Sequence, residues 1–205
     1  MNTDVLDFGD VLQLFVDDSA VAASTGLRRR VHQMRKVTVT PVVRATEPWE
    51  GDFLIPVSVH HDAPKSHWRM WYTSYGQRQQ ALPGAEGDTL HVAESTDGVR
   101  WEKPVLGAFA PAGAGANNLC AFPDGKPVPG GCAVFHDLTE ADPTRRYKLI
   151  YYPSYSYYLA YSADGVHWRQ AQKDPVWPNG AGDGLEETYF FMRDEKINRY
   201  RGYMR

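Results

Sequence analysis

The chain has 205 residues, 42% of them hydrophobic and 23% charged, with a formal net charge of −3. That balance describes a folded domain of ordinary composition and excludes a polybasic nucleic-acid binder and an acidic tail protein. The absence of any apolar run near the roughly 20 residues of a membrane helix, and of a secretion signal after Met1, predicts a cytoplasmic protein with no membrane partner. The 13% aromatic content stands beside 18 Gly and 14 Pro. Aromatics favour strands and the breakers mark frequent turns, so short strands are predicted rather than helices.

In chain order, Leu14-Phe-Val-Asp-Asp18 is an apolar strand ending in two acids. Residues 18–30 hold the one helix-period stretch, and Ser24-Thr-Gly26 interrupts it. Trp49-Glu-Gly-Asp52 then leads into a unit that recurs. Val57-Ser-Val-His-His-Asp62 followed by Trp68-Arg-Met-Trp-Tyr72 returns as Cys132-Ala-Val-Phe-His-Asp137 with Tyr147-Lys-Leu-Ile-Tyr151. It returns again as Tyr189-Phe-Phe-Met-Arg-Asp194 with Tyr200-Arg-Gly-Tyr203. Each is an apolar strand, an Asp-containing turn and an aromatic strand. Downstream, Leu90-His-Val-Ala-Glu94 runs into Ser95-Thr-Asp-Gly-Val-Arg-Trp101, and Tyr158-Leu-Ala-Tyr161 into Ser162-Ala-Asp-Gly-Val-His-Trp168. Asp-Gly between two strands signals a tight hairpin, closed by Ser and Asp side chains on its own amides.

Four antiparallel strands repeated along a chain are the signature of β-propeller blades. The fold class predicted is therefore all-β, a single propeller domain over residues 1–205. Blade one covers 53–103, blade two 131–170, and blade three starts at 187–205. At this repeat length even four blades take roughly 270 to 320 residues. The expectation is thus a partial propeller of about two and a half blades, able to self-associate through its open edge.

Leu14-Phe-Val-Asp-Asp18, Gly26-Leu-Arg-Arg-Arg-Val-His-Gln33, Pro48-Trp-Glu-Gly51, Met70-Trp-Tyr72 and both Ser-x-Asp-Gly-x-x-Trp hairpins resemble the five-bladed propeller glycosidases of families 32 and 43. The hairpin is one residue shorter than the sialidase-type Ser-x-Asp-x-Gly-x-x-Trp box. The resemblance implies a carbohydrate substrate and a pocket at one end of the axis, with carboxylates near the inner strands. In those families a first-blade base or nucleophile, a third-blade orienting Asp and a fourth-blade acidic Glu share the work. Arg193-Asp194 is similar to the third-blade Arg-Asp pair, but Glu195 replaces the following Pro. The internal repeat equates Asp194 with the turn residues Asp62 and Asp137. The fourth-blade acid is expected beyond Arg205. A glycoside-hydrolase-like propeller is one reading; a non-catalytic propeller that binds carbohydrate or protein is the other.

Polar residues just before the inner strands are the candidates for an axial pocket. Glu50, Glu187 and Asp18 are the candidate acid–base carboxylates, since glycoside hydrolysis needs one group to donate a proton and another to activate water or attack. Glu50 and Glu187 read equally as solvated loop acids, and Asp18 reads first as a strand-end turn residue. Trp49, Asn117 and Asn118 are the candidate substrate-binding residues, Trp49 by stacking on a sugar ring; the asparagines also fit backbone capping. No cofactor or metal is expected. His60 and His61 are adjacent on a strand and point to opposite faces, and His136 repeats His61 beside its turn. Asn179-Gly-Ala-Gly-Asp-Gly184 lacks the bidentate Glu of a calcium loop, and Gly113-Ala-Gly-Ala-Asn-Asn118 lacks the strand-then-helix setting of a phosphate loop. Cys120 and Cys132 have no CxxC spacing; they could pair, and inert thiols are expected.

Overall fold

The computed structural model describes residues 17–18, 21–76, 84–85, 87–110, 116–153, 156–178 and 188–204. The strand at Leu14–Val16, Glu186 and Glu187, the loop at 179–184 and the glycine-rich 113–115 lie outside the described residues. The chain divides into two compact units, residues 1–39 and 40–205.

The described part of the first unit contains neither helix nor strand. Gly26 turns the chain at φ +69 inside the stretch with helical period, a left-handed conformation that a helix interior does not accommodate. Arg29 pairs with Asp18, and both side chains are exposed.

The second unit is all-β and antiparallel. Its strands are β1 (Phe53–Asp62), β2 (His67–Tyr75), β3 (Thr89–Ser95), β4 (Gly131–His136), β5 (Tyr147–Tyr151), β6 (Tyr158–Ser162), β7 (Arg169–Gln170), β8 (Thr188–Asp194) and β9 (Arg199–Met204). They form three sheets in simple up-and-down order: β1-β2-β3, β4-β5-β6-β7 and β8-β9. Helical structure among the named elements is limited to single 3-10 turns at Ala63–Lys65 and Pro143–Arg145.

The internal repeat reaches individual hydrogen bonds. In the first turn the amides of Asp97 and Gly98 donate to Ser95 Oγ at 3.2 and 2.9 Å, and those of Val99 and Arg100 to Asp97 Oδ1 at 2.9 and 2.7 Å. In the second, Asp164 and Gly165 donate to Ser162 Oγ at 3.2 and 2.8 Å, and Val166 and His167 to Asp164 Oδ1 at 2.8 and 2.9 Å. Four amides on one carboxylate and one hydroxyl satisfy the turn internally. The Arg100 and Val99 amides hold the pKa of Asp97 down to about 2. At Asp164 burial opposes the charge, but the His167 ring and the His167 and Val166 amides hold it down to about 2 as well. The first strand of each sheet carries a register shift at the start of the repeated run, between Pro56 and Ser58, Gly131 and Ala133, and Thr188 and Phe190.

The strand expected after each Asp-Gly turn is shorter than its sequence suggests. In the first sheet it shrinks to the single bridge Glu94↔Glu102, and in the second to the two residues of β7. Val99 and Arg100 are absorbed into the turn because the Asp97 carboxylate takes their amides, leaving none for a ladder. The edge of β3 is covered instead by residues 117–130, through Leu90 N to Val128 O, Cys120 N to Leu90 O and Val92 N to Asn118 O. Covering the row of open amides blunts an edge that would otherwise template association.

The first two sheets share one core, centred on Trp71, Leu90, Val92, Cys120, Val134, Leu149 and Trp168. Cys120 is a free, buried thiol, and burial pushes its pKa up to about 12. The first strands of successive sheets adjoin, β1 against β4 and β4 against β8. Val134 N donates to Ser58 Oγ at 3.0 Å across the first of these seams. The second Asp-Gly turn is gripped by the first sheet: Arg69 donates to Asp164 O at 2.6 Å and Trp71 Nε1 to Gly165 O at 2.7 Å. Its counterpart is not gripped this way; Gly98 O accepts from Trp101 within its own motif, at 3.0 Å.

This difference makes a test. Gly98 and Gly165 have φ +71 and +77, so Ala is strained at both. A Cβ on Gly98 would lie 3.5 Å from Trp68, whereas one on Gly165 would lie 2.6 Å from Trp71. Gly165→Ala is therefore expected to cost about 1–3 kcal/mol more than Gly98→Ala, the penalty of forcing atoms into a packed core. Urea denaturation of the two variants measures it, and equal losses would refute the grip.

Candidate functional site

The Pro48-Trp49-Glu50-Gly51 turn sits just ahead of β1. Glu50 N donates to Glu47 O at 3.1 Å, closing the turn. Gly51 then passes so close to β2 that a Cβ would lie 2.1 Å from Tyr75 O. Only glycine permits that approach. Gly51 N donates to Ser74 Oγ at 2.7 Å, which fixes the turn onto the sheet.

Glu50 is 0% exposed. Its Oε2 accepts from the amides of Thr46 and Glu47 at 2.8 and 3.0 Å and from Lys103 Nζ at 2.6 Å. Its Oε1 accepts from Tyr72 OH at 2.7 Å. Tyr72 OH accepts in turn from Asn118 Nδ2 at 2.7 Å, and the same Nδ2 donates to Val92 O at 2.7 Å. Asn118 Oδ1 accepts from Trp49 Nε1 at 2.9 Å and faces His91 Nδ1 at 3.4 Å. With Nδ1 as donor, His91 Nε2 accepts from Thr89 Oγ1 at 2.8 Å. One hydrogen-bonded chain thus runs from Lys103 through Glu50, Tyr72 and Asn118 to Trp49 and His91. Tyr72 stacks on His91 at 5.2 Å along it.

The protonation states follow from these contacts. Burial works against ionising Glu50, but Lys103, the turn amide and Tyr72 together hold its pKa below the ordinary carboxylate value. Burial and the adjacent Glu50 charge push the Tyr72 hydroxyl far above its usual pKa. Burial drives His91 down to about 4. At neutral pH the site is one carboxylate, one ammonium, a neutral phenol and a neutral imidazole. An ionised Glu50 with both oxygens engaged and no solvent access can position its neighbours; it is not equipped to donate or abstract a proton.

Of the residues singled out by sequence, Trp49, Glu50 and Asn118 come together here, with Trp49 half-buried at the edge. Asn117 points elsewhere: its Nδ2 donates to Phe109 O at 2.7 Å and its Oδ1 accepts from Leu119 N at 3.1 Å, tying two loop segments together. Asp18 belongs to the first unit, and Glu187 lies outside the described residues. Sequence reasoning missed Tyr72, His91 and Lys103. His91, set between the apolar Leu90 and Val92 of β3, is the one of these with a local signal in the sequence. An adjacent cleft of ≈ 450 Å³ is lined by Val43, Arg44, Thr46, Glu47, Trp101 and Lys103, so the network meets a surface recess at its Lys103 end.

A second buried carboxylate, Asp137, was read from sequence only as a turn residue. It does accept from Thr139 N and Oγ1, at 3.0 and 2.7 Å. It also accepts from Tyr200 of β9, pairs with Lys148 of β5 at 3.3 Å and faces Arg193 of β8 at 3.6 Å. Burial opposes its charge, yet the Tyr200, Thr139 and Lys148 hydrogen bonds hold its pKa far below the usual range. It joins the second sheet to the third.

Among the described residues, no group of three or more His, Cys, Asp or Glu is arranged to hold a metal ion, and no helix is long and apolar enough to cross a membrane. No protein-family model, curated protein or solved structure matches the chain.

Proposed function

We propose that residues 40–204 form part of a glycoside-hydrolase-like β-propeller that engages carbohydrate, the described residues building one wall of its pocket. The recurring Ser-x-Asp-Gly turns, the recurring bulges and the adjoining first strands support reading the three sheets as successive blades of a five-bladed ring. The observation that carries the carbohydrate reading is Trp49, half-buried ahead of the first inner strand with its indole N–H fixed by Asn118. An aromatic face pinned in that way is suited to stack on a sugar ring.

The sealing of Glu50 favours a second reading, a propeller that binds carbohydrate or protein without cleaving it. The geometry favours Glu50 as a positioning residue, so an acid and a base would have to come from other residues. Titration of the full chain against a panel of neutral and acidic oligosaccharides, with reducing ends followed in the same samples, separates the readings. Trp49→Ala is expected to weaken binding at least about tenfold, the loss of roughly 1.4 kcal/mol of contact. Glu50→Gln is expected to leave any hydrolytic rate within a few-fold. Loss of hydrolysis without loss of fold in Glu50→Gln would restore Glu50 as a catalytic residue. Absence of binding to every glycan would overturn the carbohydrate reading.

A further inference from the structure

A cleft of ≈ 550 Å³ opens on the β6–β7 side of the second sheet, beside its Asp-Gly turn. Its volume lies within the range of small-molecule sites.

Strand alternation puts the side chains of this cleft on one face of the sheet. Ala160 of β6 packs into the core shared by the first two sheets, so Tyr161 beside it leaves by the opposite face. Arg169 of β7 is the cross-strand partner of Tyr161, and cross-strand partners share a face. His167 lies two residues before Arg169 and meets Ala121 in a parallel bridge, which adds both to this face. Arg145, from the 3-10 turn ahead of β5, completes the group: its guanidinium lies 4.2 Å from the centre of the Tyr161 ring. Two arginines therefore flank one tyrosine, and all three line the cleft.

Neither guanidinium is committed to a carboxylate. Glu140 and Asp142 act on Arg145 by charge alone. Glu140 accepts from Lys148 Nζ at 3.0 Å, and Asp142 from Thr144 N and Oγ1 at 2.9 and 2.7 Å. Asp164 is occupied by His167 Nδ1 at 2.8 Å and by its own turn amides. Among the described residues, neither Arg145 nor Arg169 forms an ion pair, and both are exposed. A guanidinium presents a rigid fork of N–H donors that matches a carboxylate or a phosphate. The rest of the wall includes the small apolar residues Ala121, Pro123, Ala163 and Ala171, which leave room for the body of a ligand.

We infer that this cleft binds a small organic anion, its carboxylate or phosphate held by Arg145 and Arg169 and its apolar body lying against the alanine and proline wall. The inference stands independently of the carbohydrate reading of the Trp49 site.

The test is NMR of the arginine Nε–H groups in the full chain, titrated with benzoate, phenyl phosphate and neutral phenol. At least one of the two anions is expected to shift the Arg145 and Arg169 resonances and to bind at least about tenfold tighter than phenol, the difference made by charge-assisted hydrogen bonds. Arg145→Gln and Arg169→Gln should each weaken anion binding at least about tenfold; both residues are exposed, so the far-UV circular dichroism should stay unchanged. Ala171→Leu narrows the cleft without removing either cation and should also weaken binding. Binding of benzoate alone identifies a carboxylate site, of phenyl phosphate alone a phosphate-ester site, and of both a general oxyanion site. No binding of either anion, phenol binding as tightly as the anions, or undiminished anion binding in the folded double arginine variant would overturn the inference.

Discussion

Replacing Lys103 by Met is expected to destabilise the protein by about 3–5 kcal/mol, because it strands a buried carboxylate without its counter-ion. Glu50 has no exposure, and the ammonium 2.6 Å away is the only opposite charge among its described partners. Adding Glu50→Gln to Lys103→Met should recover most of that loss, since the double variant buries no ion, and the Gln side chain can accept the turn amides on its oxygen and present its amide nitrogen to the Tyr72 oxygen. Urea denaturation of the two single variants and the double measures the coupling; additive losses would refute it. The pH dependence has a definite sign. Glu50 has a depressed pKa in the fold, so its contribution is present above the unfolded value and is lost as pH falls through the folded one. Glu50→Gln should accordingly flatten the acid limb of the stability curve.

Asp137→Ala is expected to cost about 3–5 kcal/mol as well, for a related reason. It removes the acceptor shared by Tyr200 and Thr139 and leaves Lys148, itself almost fully buried, with Glu140 as its remaining carboxylate. The loss has a direction in space. Tyr200 and Arg193 belong to β9 and β8, so the variant should release the third sheet before the first two melt. Limited proteolysis should cut within residues 188–204 of the variant while the wild type resists there. A variant that loses stability while residues 188–204 stay protected would show that Asp137 serves only its own turn. Like Glu50, Asp137 has a depressed pKa, so its stabilisation fades as pH falls through the folded value.

The repeated hairpin was legible in sequence to the level of individual amides, because Ser, Asp and Gly at fixed offsets dictate a turn by local bonding alone. The three apolar-then-aromatic strand pairs were legible for a similar reason, since period-two patterning reports which face is buried. Their bulges were not legible, because an extra residue in a strand depends on how the partner strand is met. The short fourth strands were misread because Val99 and Val166 favour strands by propensity, while a carboxylate two residues earlier captures their amides. At the candidate site, position ahead of an inner strand brought Trp49, Glu50 and Asn118 into view. Lys103 was missed because a salt bridge between residues 53 positions apart leaves no local pattern. Asp137 and Lys148 were missed likewise; a lysine between Tyr147 and Leu149 in an apolar strand was the visible trace.

The two Asp-Gly turns share a hydrogen-bond list but differ in what surrounds them, and this sets how each opens. The turn at Ser95 closes on itself, so it can open and reclose while the rest of the sheet stays intact. The turn at Ser162 has Arg69 and Trp71 anchored on its carbonyls, so freeing it means parting the first two sheets. Native-state hydrogen exchange should therefore report two different free energies from one sequence motif. The amides of Gly98, Val99 and Arg100 should exchange through a small local opening, nearly independent of denaturant. Those of Gly165, Val166 and His167 should exchange only with global unfolding and track the urea dependence of the whole unit. In this chain the same seven-residue phrase is thus a self-contained clasp at one place and a rivet between two sheets at the other.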